Sequence, residues 1–505
     1  MRRQDARWAQ GAGGVTAVAA LAMMRRDDAS FLGAAEPDMP AATPVPAAAP
    51  MGLCALLAAV ADRHPARIAF VDQASKPDWC GRPAIAWTFA AAREIVARLA
   101  EGLQQLRLPP RSPVGLCMAG MAEAHLAFLA IEQAGHVPCL LPVTWDEDRL
   151  LQAVESAQIL AILTQGVLGA ERPAETMCRV AMRYFPLRFV AAFGPHVPDG
   201  VLSLDQVVLD HRGDAAALGT GPAAGLVTFA LPGAPPAGPA GPPPEPAGAP
   251  VAVRREAEAL TAAAAGCLAP MRVEPGDRIL SLMPPSDLKG LATGLAAALL
   301  AGATLECHPV FEAGTLSAAL DQPVPTHLVA PAWMEAGFAR TTVAGRLRTL
   351  AYVHRAPCRL SGRLPGRAGV VDILAFDETA LLCGRRDAQD VGLVLAAPER
   401  AALAPERAAL APERAALAPE RAAMAPERAA LAPERVAPIP ERTADRTGLV
   451  QLRRDPDGRL SFRGAACTAR MLHRGITREE NQDGWMPSRF RPSLFAGVAT
   501  AVAEV

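Results

Sequence analysis

Lysine is almost missing from this sequence: among 505 residues only Lys76 and Lys289 carry an ε-amine, so nearly all positive charge is arginine. Arginine stays ionised and suits bidentate contacts, whereas chemistry that needs a titrating amine has very few places to happen. Aromatic residues are scarce at 4% while prolines number 48, a combination that points to irregular inserts spliced into an alanine-rich scaffold. No excess of charge of either sign exists: Lys+Arg at 50 against Asp+Glu at 51 leaves a formal charge of -1. That balance lacks the field of a nucleic-acid binder and gives no global attraction to an anionic membrane. Ten cysteines occur singly without a C-x-x-C, and nine histidines occur without an H-E-x-x-H. Neither a zinc site nor a disulfide framework is signalled, and buried reduced thiols in a cytoplasmic protein are the expectation. The apolar run Val15 to Met24, preceded by Arg2, Arg3 and Arg7 and followed by Arg25 and Arg26, is about half the length of a membrane span, and the arginines on its far side argue against a signal peptide.

What is present is a globular balance, with 51% hydrophobic and 20% charged residues, and a length that fits roughly two to four domain-sized units. Residues 1 to 50, ending in the Pro/Ala stretch Pro37 to Pro50, read as a disordered leader. From Gly52 helical and strand patterns alternate. Helices are predicted at Leu53 to Arg63, Ala90 to Leu106, Ala122 to Ala134 and Asp146 to Ala157, with Asp146 as the N-cap of the last. Strands are predicted at Arg67 to Val71, Ala84 to Phe89, Pro113 to Met118, Val137 to Leu141 and Ile159 to Thr164. The rhythm resumes with a strand at Gly225 to Ala230, a helix near Val251 to Leu268, a strand at Arg278 to Met283, a helix at Leu288 to Ala301 and a strand at Ala303 to Cys307. Further units lie at Thr326 to Val329, Leu347 to Val353 and Val370 to Leu374, and a hairpin at Leu449 to Arg453 and Arg459 to Arg463. Short apolar strands interleaved with helices are what parallel sheets covered on both faces require, so the fold class is α/β.

Two segments break the pattern. Residues 232–250 hold nine prolines and four glycines, too many helix and ladder breakers for anything but an exposed loop. From Ala397 the unit A-P-E-R-A-A-L recurs with prolines at 398, 405, 412, 419, 426 and 433. A proline each seventh residue costs a continuous helix roughly 3 kcal/mol per repeat, and one Leu per unit is too thin a stripe for a coiled-coil seam.

The stretch from Leu53 through Thr164, with H-P-A-R-I-A-F-V-D, P-V-G-L-C-M and A-F-L-A-I-E-Q-A-G-H-V-P, is similar to the start of the adenylate-forming superfamily of acyl-CoA synthetases, fatty acyl-AMP ligases and nonribosomal adenylation domains. The similarity continues through V-E-P-G-D-R-I-L-S-L-M-P-P, G-L-A-A-A-L-L-A-G-A-T-L and V-P-T-H-L-V-A-P-A-W, and reappears at Phe462-Arg463-Gly464 and Asp483-Gly484-Trp485. The resemblance implies a large N-terminal domain over 51–390 with two αβ layered subdomains, the repeat insert at 391–442 and a small β-rich remnant at 443–505. It also implies that the C-terminal domain bearing the family's catalytic Lys is absent, because the chain stops at Val505 and no Lys follows Lys289.

Such enzymes join a carboxylate to the α-phosphate of ATP and pass the acyl group to a thiol, which makes ATP and Mg²⁺ the implied cofactors and coenzyme A, an acyl carrier protein or a partner synthetase the implied partners. The chemistry is charge management at a crowded phosphate. Where the family's hydroxyl-rich phosphate loop is expected, Ala230-Leu231-Pro232-Gly233-Ala234-Pro235 stands, and Val251 holds the place of the loop Lys. Proline has no N–H, and Ala and Leu have no hydroxyl, so the anion nest is dismantled. Arg254, Arg255 and Ser488 are the nucleotide-contact candidates that remain, the two arginines also fitting a solvated helix start. The family's Tyr-Gly-x-Thr-Glu lines up with Leu374 to Glu378, leaving Asp377 and Glu378 as oxygen ligands for a hard cation or as a loop pair facing solvent. The segment Asp483 to Phe490 resembles one ending Thr-Gly-Asp, and Phe490 takes the place of the Asp that accepts hydrogen bonds from the ribose hydroxyls. Lys289 reads as the first turn of a solvent-facing helix.

The reading that results is an AMP-dependent synthetase/ligase homologue, acyl-CoA synthetase-like, impaired in catalysis or a pseudoenzyme that binds an acyl group or a partner. A divergent active ligase completed by a C-terminal domain in trans, and an interaction scaffold built on the repeat array, are the alternatives.

Overall fold

The computed structural model describes residues 52–195, 197–221, 225–231, 248–338, 347–359, 369–386, 442–444, 449–455, 457–467, 470–473, 476–478, 484–495 and 498–504. The expected leader, the Pro/Gly insert from 232 to 247 and the heptapeptide array up to residue 441 lie outside the described residues.

Two large, mostly parallel sheets carry the fold. One has nine strands, in the spatial order Ile476–Arg478, Arg470–His473, Val251–Arg255, Leu226–Ala230, Val137–Leu140, Pro113–Cys117, Ala161–Gln165, Phe189–Phe193 and Leu202–Ser203. The other has eight, in the order Ala380–Arg385, Val370–Phe376, Thr349–Arg355, Thr326–Pro331, Arg278–Ser281, Thr304–Cys307, Ile68–Asp72 and Ala86–Thr88. Their central strands are buried along nearly their whole length, as the continuous apolar runs require. The late strands are antiparallel: Gln451–Arg454 and Leu460–Arg463 form the expected hairpin within a four-stranded sheet, and Phe490–Phe495 pairs with Val498–Glu504 in a three-stranded one.

The helix Ala122–Gln133 is buried from Ala122 through Ile131 and belongs to a core that also takes in Phe70 and Ile279 of the eight-stranded sheet and Leu116 and Leu163 of the nine-stranded one. A helix apolar on every side is a core element, so the charges it carries must be paired. Its Glu123 accepts two hydrogen bonds from Lys76, at 2.6 and 2.7 Å, and Lys76 also binds Asp72 at 2.6 Å, with no side-chain exposure at the lysine. Asp72 in turn accepts the Ala122 N–H at the start of the helix. One of the two lysines is thus consumed in holding the helix against the strand Ile68–Asp72.

His125 on the same helix stacks on Phe70, ring centroids 5.9 Å apart. Burial pushes its imidazole down to about 4 from the ordinary 6.5. The unfolded chain therefore takes up a proton before the folded one does, and stability present above the ordinary value is lost as pH falls through the lowered one. The expected loss from this group is about 3 kcal/mol between roughly pH 7 and pH 4. Urea midpoints at both pH values check it: the fall should be steeper in the parent than in His125→Phe, and parallel falls would assign the acid sensitivity elsewhere.

Most predicted elements stand within a few residues of their expected bounds, and Asp146 caps Glu147–Ala157 by accepting the Arg149 N–H at 2.8 Å. Two expectations are corrected. The helix expected from Val251 begins only at Ala257 and runs to Met271, because Val251–Arg255 is a strand antiparallel to Leu226–Ala230. The helix expected over Leu288 to Ala301 is two, Leu288–Thr293 and Leu295–Ala301, broken at Gly294, whose backbone (φ -106, ψ -99) is not helical. No helix among the described residues is long and apolar enough to cross a membrane.

Candidate functional site

A cavity of about 270 Å³ opens where the carboxyl ends of strands from the two large sheets meet, the place where open α/β sheets bind ligands. From the nine-stranded sheet come Pro142, Thr144 and Trp145, after the strand Val137–Leu140, and Phe229, Ala230 and Leu231, at the end of Leu226–Ala230. From the eight-stranded sheet come Pro284, Ser286, Asp287 and Lys289, beyond Arg278–Ser281, Arg355 at the tip of Thr349–Arg355, and Ala375, Asp377 and Glu378 at the tip of Val370–Phe376.

Local sequence explains how each group is held. Asp377 sits at φ +47, a conformation a short polar side chain tolerates, and the Thr379 N–H returns to the Phe376 carbonyl to close the turn. Asp287 caps the helix Leu288–Thr293 through the Gly290 N–H at 2.9 Å. Gly290 has no substitute there, since a Cβ would lie 1.8 Å from the Pro284 carbonyl oxygen.

Nearly every charge at the cavity already has a protein partner. Glu378 accepts the Leu288 N–H at 2.9 Å, and the buried Arg255 lies 3.9 Å from its carboxylate and donates to its backbone carbonyl. Burial, reinforced by Asp287, raises the Glu378 carboxyl above the usual carboxylate range, against the pull of Lys289 and Arg255. Burial lowers Arg255 to about 10, with Glu378 opposing the shift. Asp377 is gripped bidentately by Arg489, at 2.9 and 3.0 Å, and Arg489 also donates to the Leu231 carbonyl at 3.1 Å. Lys289 is ion-paired to Asp287. Arg355 is exposed and carries no ion pair among the described residues.

The residues singled out from sequence therefore scatter. Asp377 and Glu378 reach the cavity wall, but their carboxylates face different partners. Arg255, expected as a phosphate contact or a solvated helix-start residue, is instead a buried strand residue behind the wall, and Arg254 precedes it in the same strand. Ser488 is buried and accepts the Phe490 N–H at 3.2 Å, capping its own turn. Phe490 is 1% exposed and packs edge-on against Phe376, 5.7 Å away, which also packs on Phe462. Lys289 corrects the expectation of a solvent-facing side chain, being largely buried at the cavity. Arg355 and Arg489 were missed, and only Arg489 left a signal, its position beside Phe490 in the recognised segment.

A group of three or more His, Cys, Asp or Glu side chains placed to hold a metal ion does not occur among the described residues. With Asp377 closed by Arg489 and Glu378 by Leu288 and Arg255, the donors present do not fit Mg²⁺, which needs near-octahedral oxygen coordination from one or two carboxylates free to bind it.

The chain aligns over 90% of its length with the crystal structure of ATP-bound MatB from Rhodopseudomonas palustris, at a TM-score of 0.61, 14% identity and 79% coverage of that protein. The fold is that of the adenylate-forming enzymes. MbtA from Mycobacterium smegmatis, in its apo structure, matches this adenylate-forming fold at a TM-score of 0.61 and 18% identity over 92% of this chain and 79% of its own. The N-terminal domain of FACL13 from Mycobacterium tuberculosis matches at 0.59 and 14% identity, with 90% of this chain covering 99% of that domain. A sequence model described as AMP-binding enzyme matches residues 57–188. No curated protein matches the sequence. The resemblance seen in the sequence thus holds for the fold as a whole and, in sequence, for residues 57–188.

Proposed function

We propose that this chain is an acyl-CoA synthetase-like ligase homologue that keeps the adenylate-forming cavity as an anion-binding site but does not support Mg²⁺-dependent adenylation. The observation that carries the reading is the closure of the cavity's carboxylates: Asp377 is neutralised by Arg489, Glu378 is held by the Leu288 N–H, and Asp287 occupies Lys289. Among the described residues lining the cavity, Arg355 is the cation left to a carboxylate or phosphate, and a guanidinium suits either through paired N–H donors. The thiol side, as coenzyme A, an acyl carrier protein or a partner synthetase, belongs to the same reading.

Calorimetry with ATP, with and without Mg²⁺, tests it on the whole chain. Binding is expected to be weak and indifferent to Mg²⁺, with carboxylate-dependent pyrophosphate exchange at background. Arg355→Ala is expected to weaken anion binding by about 10-fold or more, the loss of a charge-assisted hydrogen bond. Binding tightened 10-fold or more by Mg²⁺, together with exchange lost in Asp377→Asn, would establish a working divergent ligase instead.

A further inference from the structure

The Sγ atoms of Cys267 and Cys383 lie 3.3 Å apart, although 116 residues separate them in the chain. Cys267 is fully buried on the helix Ala257–Met271, and Cys383 is partly exposed on the strand Ala380–Arg385. A disulfide needs the two sulfurs only about 1.3 Å closer than this. The two segments are tied on either side of the pair as well. Arg255, two residues before the helix, donates to the Glu378 carbonyl, and Arg385 donates to the Pro270 carbonyl at 3.3 Å. Such ties keep the sulfurs in register and make their encounter intramolecular.

We propose that Cys267 and Cys383 form a redox modification site that a hydroperoxide converts to a disulfide. The accessible Cys383 thiolate attacks the outer peroxide oxygen, the O–O bond breaks, and the alcohol or water leaves with a proton, giving a sulfenic acid. The Cys267 sulfur then attacks the Cys383 sulfur, forming the S–S bond and releasing the hydroxyl as water with the proton that Cys267 gives up. Two thiols are oxidised and one peroxide is reduced. Cys383 faces Ile373 in the hairpin with Val370–Phe376, whose turn carries Asp377 and Glu378, so the bond pins the hairpin that forms one cavity wall to the helix behind it.

The test treats the full, folded chain with hydrogen peroxide, blocks the remaining thiols and maps peptides without reduction. The expected result is a peptide joining Cys267 to Cys383, lighter by about 2 Da than its two halves, lost on treatment with dithiothreitol and absent from Cys383→Ser. In Cys267→Ala, Cys383 should stop at sulfenic acid and be captured by a 1,3-diketone probe. Because Cys383 is the less buried of the two, its variant keeps the test available if the Cys267 variant does not fold. Unlinked thiols after peroxide, over-oxidation of Cys383 in the parent chain, or a link to a different cysteine would each overturn the proposal.

Discussion

Replacing Arg255 by methionine is expected to lower the unfolding free energy by about 3–5 kcal/mol, the cost of removing one partner from a buried ion pair. Both groups are almost completely withdrawn from water, Arg255 at 1% and Glu378 at 5% exposure. The methionine fills much of the arginine's volume, so the loss reports the stranded Glu378 carboxylate and the forfeited bond to its carbonyl rather than a cavity. Arg255→Met with Glu378→Gln should recover a large part of the stability, since glutamine still accepts the Leu288 N–H and leaves no unpaired charge. Urea unfolding of the parent, both single variants and the double variant decides it. A loss under about 1 kcal/mol in Arg255→Met would mean that the pair is not what closes Glu378 off from a ligand.

Phe490→Asp is expected to destabilise the chain by about 4 kcal/mol or more while adding nothing to nucleotide affinity. Deleting a buried phenyl ring alone costs about 3–5 kcal/mol, and a carboxylate placed against Phe376 would have to lose its charge or open the cluster. The position that resemblance assigns to a ribose-holding carboxylate is here a contact between the start of the strand Phe490–Phe495 and Phe376 at the tip of Val370–Phe376 in the eight-stranded sheet. Phe490→Leu, keeping the apolar character, should cost about 1–2 kcal/mol. Thermal unfolding and ATP calorimetry on the two variants separate the ideas: a stable Phe490→Asp chain that gains ribonucleotide affinity over the matching deoxyribonucleotide would place residue 490 in the ligand site instead of the core.

The alternation that defines the fold was readable because strands such as Ala161–Gln165 and Val137–Leu140 are continuous apolar runs set between periodic helices. The site was far less readable. Arg255 looks like a surface residue in V-A-V-R-R-E-A-E, where the following Ala/Glu-rich run favours a helix. The strand appears only because Leu226–Ala230 lies beside it, and its burial depends on Glu378, 123 residues away. The phenylalanine at position 490, where the resemblance expects a carboxylate, was visible in sequence, yet the aromatic neighbours that make it a packing residue were not. Pairings such as Asp377 with Arg489, 112 residues apart, leave no local periodicity to read.

The fate of the two lysines bears on how this molecule meets reactive acyl groups. Acylation of a side-chain amine needs a free, accessible lone pair on nitrogen. Lys76 is sealed among carboxylates, and Lys289 is engaged by Asp287. Activated esters, anhydrides and mixed phosphoric anhydrides should therefore leave the two lysine side chains nearly unlabelled, so that stray acylation by such donors falls on thiols rather than on side-chain amines.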